Sequence, residues 1–283
     1  MKDIAYYNGR ISAIGDMMIP MNDRACYFGD AVYDVAYAYN HVPMALDDHI
    51  DRIYRSASMI DIRVDMPKEE MKALLLDLVR RVEGDKLVLY WQISRGTGMR
   101  QHDYSALTGG ANLWAYVKAA NPVDPFRSYR GITAEDLRFL YCNIKTVNLL
   151  PAVLANHRAA AAGADEAILH RGQRVTEGSH SNIHILKDGV LRTAPCDNLI
   201  LPGITRAHIL RHCASLGIPV KEEPITVNEM MNADEVFFSA CGALCCRFYE
   251  IDGRGVGGRD EETFGAIRAA YERERRRECG LPE

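Results

Sequence analysis

The 283-residue sequence lacks several features that would place it in other classes of protein. No apolar run approaches the ~20 residues that are needed to cross a bilayer, which argues against a membrane protein. The start of the chain, MKDIAYYNGR, lacks the apolar stretch of a secretory signal, so we expect a cytoplasmic protein. The formal net charge of −4 argues against a broad basic face that binds nucleic acid.

Cysteine motifs are also missing. The eight cysteines form no C-x-x-C pair, which argues against a disulfide framework or a zinc ribbon and favours buried, reduced thiols. His208 and His212 have the spacing of two ligands on one helical face, but no Glu follows His208 and no third ligand is near in sequence. We therefore expect no metal site.

Lysine is scarce, because only 8 of the 34 basic residues are lysines and 26 are arginines. Arginine suits the bidentate recognition of carboxylate and phosphate groups, whereas lysine can lose its proton and take part in chemistry. A lysine in an unusual sequence context is therefore a candidate catalytic residue.

Periodicity predicts a mixture of strands and helices without strict βαβ alternation, which favours an α+β fold. Val32–Asn40 and Lys86–Ser94 alternate as half-buried strands do. Pro67 and Pro151 stand where helices begin, and Gly203 precedes another helix. No G-x-G-x-x-G follows a strand and no Walker loop is present, which argues against a nucleotide-binding fold.

A stretch rich in alanine and proline at residues 119–125 follows a predicted strand and is typical of a linker. We therefore divide the chain into an N-terminal domain of residues 1–118, an interdomain linker of residues 119–125 and a C-terminal domain of residues 126–283.

Lys145 interrupts a mostly apolar, strand-like run between Arg138 and Pro151. Because burial of an ammonium group is costly, such a setting favours the neutral amine, and a neutral lysine amine is the nucleophile that forms Schiff bases. A lysine on the exposed face of a strand is the alternative interpretation, and the run by itself favours that alternative.

Two later segments favour the interpretation of Lys145 as a nucleophile. Glu177 lies in a small, turn-rich stretch with several hydroxyl groups, VTEGSHSN. Gly203 opens a helix whose first backbone N–H groups, with the Thr205 hydroxyl, can bind a phosphate. A nucleophilic lysine, a carboxylate for a pyridinium nitrogen and a phosphate cradle are what pyridoxal 5′-phosphate requires.

The sequence resembles the class IV (fold-type IV) aminotransferases, and the resemblance is greatest to D-amino-acid aminotransferases. It covers nearly the whole chain and is carried by ordered blocks. These blocks are YFGDAVYDV, HIDRIYRSA, CNIKTVNLLPAVLA, VTEGSHSNIHILKDG and LILPGITR.

The resemblance implies a small N-terminal α/β domain, a larger C-terminal pseudo-barrel domain, and pyridoxal phosphate bound between them in a homodimer. It implies that Lys145 forms the Schiff base and that Glu177 faces the pyridine nitrogen. Arg52, Ile204 and Thr205 would hold the phosphate, and Arg138 would lie near the phenolic oxygen. The other cofactor-binding residues that it implies are Ser179, His180, Ser181, Leu201 and Cys241.

The substrate side of the resemblance lies in the loop R95-G-T-G-M-R100-Q-H102, which is similar to the R-G-x-x-x-R-x-H loop of the D-amino-acid enzymes. It implies that Arg100 and His102, with Tyr33, bind the substrate α-carboxylate, and that the loop comes from the other subunit. Val35 and Tyr37 follow Tyr33 on the same strand face and complete the implied substrate site.

The sequence departs from the family pattern at two positions and in one segment. Tyr37 stands where relatives carry a basic residue, and His180 replaces a serine. The segment Phe238–Ala243 replaces a phosphate turn rich in serine and threonine. These departures concern the substrate range and the phosphate contacts rather than the identity of the cofactor.

The sequence thus predicts transamination between a D-amino acid (D-alanine, D-glutamate or D-aspartate) and an α-keto acid. The alternatives are a branched-chain or (R)-amine transaminase, a pyridoxal-phosphate lyase resembling aminodeoxychorismate lyase, and a non-catalytic protein that binds the cofactor.

Overall fold

The computed structural model describes residues 1–121 and 123–282, so Pro122 of the predicted linker and the final Glu283 lie outside the described residues. The chain has an α+β fold that divides into two compact units. The first unit comprises Met1–Asn121, Ile144–Asn148 and Arg275–Glu283, and the second comprises Pro122–Asn143 and Leu149–Glu274. These units differ from the predicted domains, because the short segment that carries Lys145 and the C-terminal residues group with the first unit.

The first unit is built on an antiparallel sheet of six strands in the order β2-β1-β6-β5-β3-β4. The predicted strands are confirmed as β3 and β5, each within one residue of its predicted bounds. The elements of this unit are β1 Asp3–Tyr7, β2 Arg10–Ser12, α1 Arg24–Phe28, β3 Ala31–Tyr39, β4 Val42–Pro43, α2 Leu46–Ser58, α3 Lys68–Arg80, β5 Lys86–Ser94 and β6 Asn112–Ala119.

Local sequence explains several of these elements. Asn8 and Gly9 have φ angles of 42° and 92°, the left-handed conformations that a tight two-residue hairpin between β1 and β2 requires. α2 begins with Asp47 and Asp48 in its first turn, where carboxylates oppose the helix dipole. α3 begins directly after Pro67, as the sequence predicts.

The core of the first unit lies between one sheet face and the helices α2 and α3. Leu87, Leu89 and Trp91 alternate along β5 and are fully buried against apolar side chains such as Ile53 and Leu75. The intervening residues of β3 and β5 point to the opposite sheet face, because neighbouring strand residues alternate. That opposite face is half-buried and carries Tyr33, Val35 and Tyr37, three of the predicted substrate residues.

The second unit contains a ten-stranded mixed sheet in the order β12-β11-β10-β14-β15-β7-β8-β9-β13, with β16 paired to β15. Register irregularities in β15 and β8 bend the sheet into a half-barrel. Its elements are β7 Tyr129–Glu135, α4 Leu150–Ala161, β8 Glu166–Arg171, β9 Arg174–Gly178, β10 Asn182–Lys187, β11 Val190–Thr193, α5 Ile204–Ser215, β12 Val220–Glu222, β13 Ile225–Thr226, α6 Val227–Met231, β14 Glu235–Ala240, β15 Leu244–Ile251, β16 Arg254–Gly255 and most of α7 Glu261–Glu278.

The helices of the second unit begin close to their predicted positions. Pro151 is the second residue of α4, and Gly203 immediately precedes α5. Ile183, Val236 and Phe248 project from the strands into a buried apolar core. Most of the predicted cofactor residues lie next to these elements, between the end of β9 and the start of β10 and at the start of α5.

Candidate active site

Lys145 is held on the first unit by its main chain. The Tyr33 N–H donates to the Lys145 carbonyl at 3.0 Å, and the Lys145 N–H donates to the Ser56 hydroxyl at 3.2 Å. Thr146 forms an isolated antiparallel bridge with Val32 of β3. These bonds fix the backbone on both sides of the lysine.

The prediction that Lys145 lies within an apolar strand is wrong. Lys145 belongs to a loop and its side chain is only half-buried, because its segment bonds to β3 over only three residues, Lys145, Thr146 and Val147, which is too short a pairing to form a strand. The Lys145 Nζ lies 4.4 Å from the centroid of the Tyr33 ring, a distance at which an ammonium group is attracted by an aromatic face. The aromatic ring, rather than an aliphatic core, is therefore the near neighbour of the amine.

Tyr33, Val35 and Tyr37 lie on the same half-buried face of β3. The Tyr33 ring stacks on Tyr90 of β5 with a centroid distance of 5.4 Å. The structure thus brings three predicted substrate residues and Lys145 to one face of one sheet.

Arg52 lies in α2 and is bound to Asp34 of β3. The Arg52 Nε and Nη2 donate to the two carboxylate oxygens of Asp34 at 2.9 and 2.7 Å, and the His49 Nδ1 lies 2.7 Å from the same carboxylate. Burial opposes ionisation of Asp34, but the positive charges of Arg52 and His49 hold its pKa well below the ordinary value. Sequence reasoning missed Asp34, although a carboxylate among the buried positions of a strand is a signal for such a partner.

In the second unit, Glu177 is buried at the end of β9 and fully hydrogen-bonded. One of its oxygens accepts from the Arg138 guanidinium, and the other accepts from the Asn182 side-chain amide and the Leu201 N–H, both at 3.0 Å. Arg138 also donates to Asp136 through its Nε at 2.8 Å. The structure therefore brings three predicted cofactor residues, Glu177, Arg138 and Leu201, into one cluster.

Glu177 and Asp136 share the positive charge of Arg138. Burial opposes ionisation of Asp136, but its hydrogen bonds with Arg138 lower its pKa to about 2. Burial raises the pKa of Glu177 to about 7, and Arg138 offsets only part of that cost. Asp136 accepts hydrogen bonds from two Arg138 nitrogens and Glu177 from one, so the two carboxylates share one guanidinium unequally in hydrogen bonds.

The start of α5 is packed closely against this cluster. A Cβ atom at Gly203 would lie 1.9 Å from the Asn182 Oδ1, so no larger residue fits without moving the amide that binds Glu177. No side chain caps the helix, so its first N–H groups, at Ile204 and Thr205, are donors for an anion. The Thr205 hydroxyl is hydrogen-bonded to buried Tyr271.

The predicted residues Ser179, His180 and Ser181 surround Glu166. The Ser179 and Ser181 hydroxyls donate to its two oxygens at 2.5 and 2.7 Å. The His180 side chain is 60% exposed, and its Nδ1 lies 3.3 Å from a Glu166 oxygen. Cys241 lies in the turn between β14 and β15. Sequence reasoning missed Glu166, because a lone carboxylate at a strand start carries no motif.

Arg100 and His102 are exposed on the loop that follows β5, and both contact Phe28. The Arg100 guanidinium lies 5.2 Å from the Phe28 ring centroid, and the His102 ring centroid lies 5.3 Å from it. The structure therefore places the two predicted carboxylate-binding side chains on one aromatic ring.

Neither a metal centre nor a membrane span is found in the part of the chain that the structure describes. No group of three or more His, Cys, Asp and Glu side chains there is arranged to hold a metal ion. His208 and His212 both bind Glu274 of α7 instead, at 2.9 and 2.8 Å. None of the described helices is long and apolar enough to cross a membrane.

Known proteins resemble this chain in sequence. Residues 31–251 match the family described as Amino-transferase class IV. The chain is 38% identical over 255 residues to the D-alanine aminotransferase of Bacillus licheniformis, covering 89% of each protein. It is 41% identical over 250 residues to that of Listeria innocua, covering 87% of this chain and 86% of the relative.

The fold also resembles solved structures. A branched-chain aminotransferase from Thermoproteus uzoniensis, crystallised with norvaline, matches with a TM-score of 0.87 and 27% identity, covering 99% of this chain and 96% of the other. The chain belongs to the class IV aminotransferases and has their fold-type IV architecture. It is therefore a pyridoxal-phosphate-dependent aminotransferase.

The residues present suit pyridoxal phosphate. A buried carboxylate near its protonation midpoint can accept a hydrogen bond from a pyridinium N–H, which would supply the positive charge that Arg138 supplies only in part. The uncapped start of α5 suits a phosphate group. Lys145 offers the amine that the cofactor requires.

The raised pKa of Glu177 predicts a pH dependence of stability in the cofactor-free protein. The folded protein retains a proton on Glu177 that the unfolded chain loses above its ordinary pKa of 4.5, so stability falls as the pH rises from about 4.5 to about 7. The contribution is roughly 3 kcal/mol over that interval. Glu177→Gln should remove this part of the slope, whereas the exposed Glu69→Gln should not.

Urea unfolding of the three cofactor-free proteins at several pH values measures the effect. Parallel stability curves for the parent protein and Glu177→Gln would show that burial does not raise the pKa of Glu177.

Proposed function

We propose that this enzyme transfers the amino group of a D-amino acid to an α-keto acid, with D-alanine, D-glutamate and D-aspartate as donors. The observation that carries the proposal is the pair Arg100 and His102 on a single loop, both against the Phe28 ring. An arginine fork is the side chain best suited to a substrate carboxylate. The D-alanine aminotransferases to which the chain is 38–42% identical support the same substrate class.

Lys145 binds the cofactor and acts on the substrate Cα. Bound pyridoxal phosphate supplies an electron sink for the electrons of the Cα–H bond. The Lys145 amine takes the proton from the substrate Cα and delivers a proton to the C4′ atom of the cofactor. The hydrogen bonds of its main chain to Tyr33 and Ser56 keep the amine in place during that transfer.

Glu177 holds a proton at the pyridine nitrogen. The Asn182 amide and the Leu201 N–H orient one of its carboxylate oxygens, and the Arg138 guanidinium binds the other. Since a neutral amide cannot hold the pyridinium charge, this role requires the carboxylate.

The phosphate is held by Arg52 and by the start of α5, through Ile204 and Thr205. Asp34 fixes the Arg52 guanidinium by two hydrogen bonds. Cys241 offers no hydroxyl where relatives carry serine or threonine, so the helix N–H groups carry more of the phosphate binding. The other contacts that we propose with the cofactor come from Arg138, Ser179, His180, Ser181 and Leu201.

Arg100, His102 and Tyr33 bind the substrate α-carboxylate, and this selects the D-enantiomer. Lys145 approaches one face of the cofactor, so the Cα–H bond must point toward that face. The side on which the carboxylate is held then decides which enantiomer reacts. Val35 and Tyr37 line the side-chain pocket on the same strand face, and the Tyr37 ring limits it to small or polar side chains.

We further propose that the enzyme is a homodimer whose Arg100 loop serves the partner's site. Leu150, Val153 and Leu154 of α4 are 68%, 57% and 47% exposed, and Leu140 and Tyr141 are 53% and 61% exposed. Apolar side chains exposed in such number are typical of a subunit interface. Five of the eight cysteines are buried as thiols, which suits a reducing compartment, and we place the enzyme in the cytoplasm.

Arg100→Ala tests the substrate assignment. We expect kcat/KM for D-alanine with 2-oxoglutarate to fall by a factor of about 100 or more, ~3 kcal/mol for a charge-assisted bidentate contact. Arg63→Ala, which removes a guanidinium that is 90% exposed, should leave the rate unchanged. Steady-state kinetics with D-alanine and with L-leucine measure both effects.

A preference of the parent enzyme for L-leucine would favour the branched-chain activity instead. Normal activity of Arg100→Ala on D-alanine would show that the carboxylate is bound elsewhere.

Mixed dimers test whether the loop acts across the interface. In a dimer of one Lys145→Ala chain and one Arg100→Ala chain, one site would retain both the lysine and the partner's arginine. Random assembly of two inactive parents would then restore about one quarter of the activity of the unaltered enzyme. If the loop served its own chain, no mixed dimer would contain an intact site and the mixture would stay inactive.

A further inference from the structure

Arg24 is a buried arginine that binds the main chain of the Arg100 loop. Its side chain is 4% exposed, and its Nη1 donates to the Gln101 carbonyl at 2.6 Å. Its Nη2 lies 3.4 Å from the His102 carbonyl. Gln101 directly follows Arg100, and His102 is itself a proposed carboxylate-binding residue. Arg24 therefore contacts the backbone at the proposed carboxylate site.

Arg24 is placed by its own local structure. It is the first residue of α1, whose N-cap Asp23 accepts from the Ala25 N–H at 2.8 Å. The Arg24 N–H donates to the Gly96 carbonyl at 3.0 Å, and the Gly98 N–H donates to the Asn22 carbonyl at 3.1 Å. The segment that carries Arg24 is thus bonded to the beginning of the loop as well.

Asp30 neutralises the other arginines of this region. It accepts from the Arg24 Nε at 2.7 Å and from the Arg95 Nε at 2.8 Å. Burial opposes its ionisation, but these two guanidinium groups hold the pKa of Asp30 below its ordinary value. Within residues 1–121 and 123–282, Arg100 has no carboxylate within ion-pair distance. Of these three arginines, Arg100 alone keeps its charge available for a substrate carboxylate.

Phe28 connects Arg24 to the proposed carboxylate-binding side chains. The Arg24 guanidinium lies 4.8 Å from the Phe28 ring centroid, and that of Arg100 lies 5.2 Å from it. The His102 ring contacts the same ring at 5.3 Å. Because Phe28 is the last residue of α1, one short helix holds the loop backbone at its first residue and the loop side chains at its last.

We propose that Arg24 and Phe28 are positioning residues for the substrate carboxylate site, a role that rests on the proposed function of Arg100 and His102. Arg24 fixes the position of the loop backbone through its contacts with the Gln101 and His102 carbonyls. Phe28 orients the Arg100 and His102 side chains through its ring. Both residues act through the loop and its side chains, so their loss weakens carboxylate binding and leaves the chemical step intact.

Two substitutions test the proposal in the holoenzyme. Arg24→Lys retains a charge beside Asp30 but loses the fork to the two carbonyls. Phe28→Leu retains an apolar side chain at a half-buried position but loses the aromatic face. For each variant we expect the KM for D-alanine to rise about tenfold with kcat within a factor of two, as for the loss of one charged hydrogen bond. The inhibition constant for propionate, a carboxylate without an amine, should rise by the same factor.

Arg247→Lys is the matched control. Arg247 pairs with buried Glu235, and its guanidinium lies 5.2 Å from the Phe264 ring centroid in the second unit. A purely structural loss there should lower the melting temperature without changing KM or the propionate inhibition constant. If Arg24→Lys does not fold, Phe28→Leu carries the test.

The outcomes separate this proposal from the proposed function. If the parent enzyme uses D-alanine while both variants keep its KM and its propionate inhibition, the positioning role is wrong and the function stands. A fall in kcat with unchanged KM would also contradict the role, since it indicates a loss of active enzyme. If the parent enzyme does not turn over D-alanine, the proposed function fails and the positioning role fails with it.

Discussion

A few main-chain hydrogen bonds attach the segment Ile144–Asn148 to β3, and the position of Lys145 depends on them. The Tyr33 N–H and the Lys145 carbonyl form one bond, and the Val147 N–H and the Ala31 carbonyl form another. Main-chain bonds of this kind hold a residue regardless of its own side chain, so the lysine amine remains available for chemistry. The chain thereby places its candidate nucleophile on the sheet face that also carries Tyr33, Val35 and Tyr37.

The other compact unit depends on one guanidinium shared by two carboxylates. Asp136 binds Arg138 through two nitrogens and remains ionised, whereas Glu177 receives a single bond from it. Burial raises the pKa of Glu177 to about 7. A positively charged partner such as a pyridinium N–H would therefore stabilise its ionised carboxylate. The same principle operates around Asp30, which neutralises Arg24 and Arg95 and leaves the charge of Arg100 for a substrate. In both places a structural ion pair determines which neighbouring charge remains for function.

The strands, the helix starts and the α+β class follow from local patterns, because alternating burial along β3 and β5 and the prolines at α3 and α4 act over a few residues. Lys145 and Glu177 were recognised because they stand in short, unusual sequence contexts. The loop conformation around Lys145 was not predicted, since it depends on pairing with a strand more than a hundred residues earlier. Asp136 and Glu166 were missed for the same reason: each binds a site residue that the fold, and not the local sequence, brings near. Asp34 differs, because a carboxylate among the buried positions of a predicted strand is a local signal.

Borohydride reduction of the holoenzyme followed by peptide mapping tests whether Lys145 carries the cofactor. We expect one pyridoxyl group per chain, on the peptide that contains Lys145, and none on the other seven lysines. Lys145→Ala, prepared and reduced in the same way, should carry no label. A pyridoxyl group on any other lysine of the unaltered enzyme, or stoichiometric labelling of Lys145→Ala, would show that a different residue carries the cofactor.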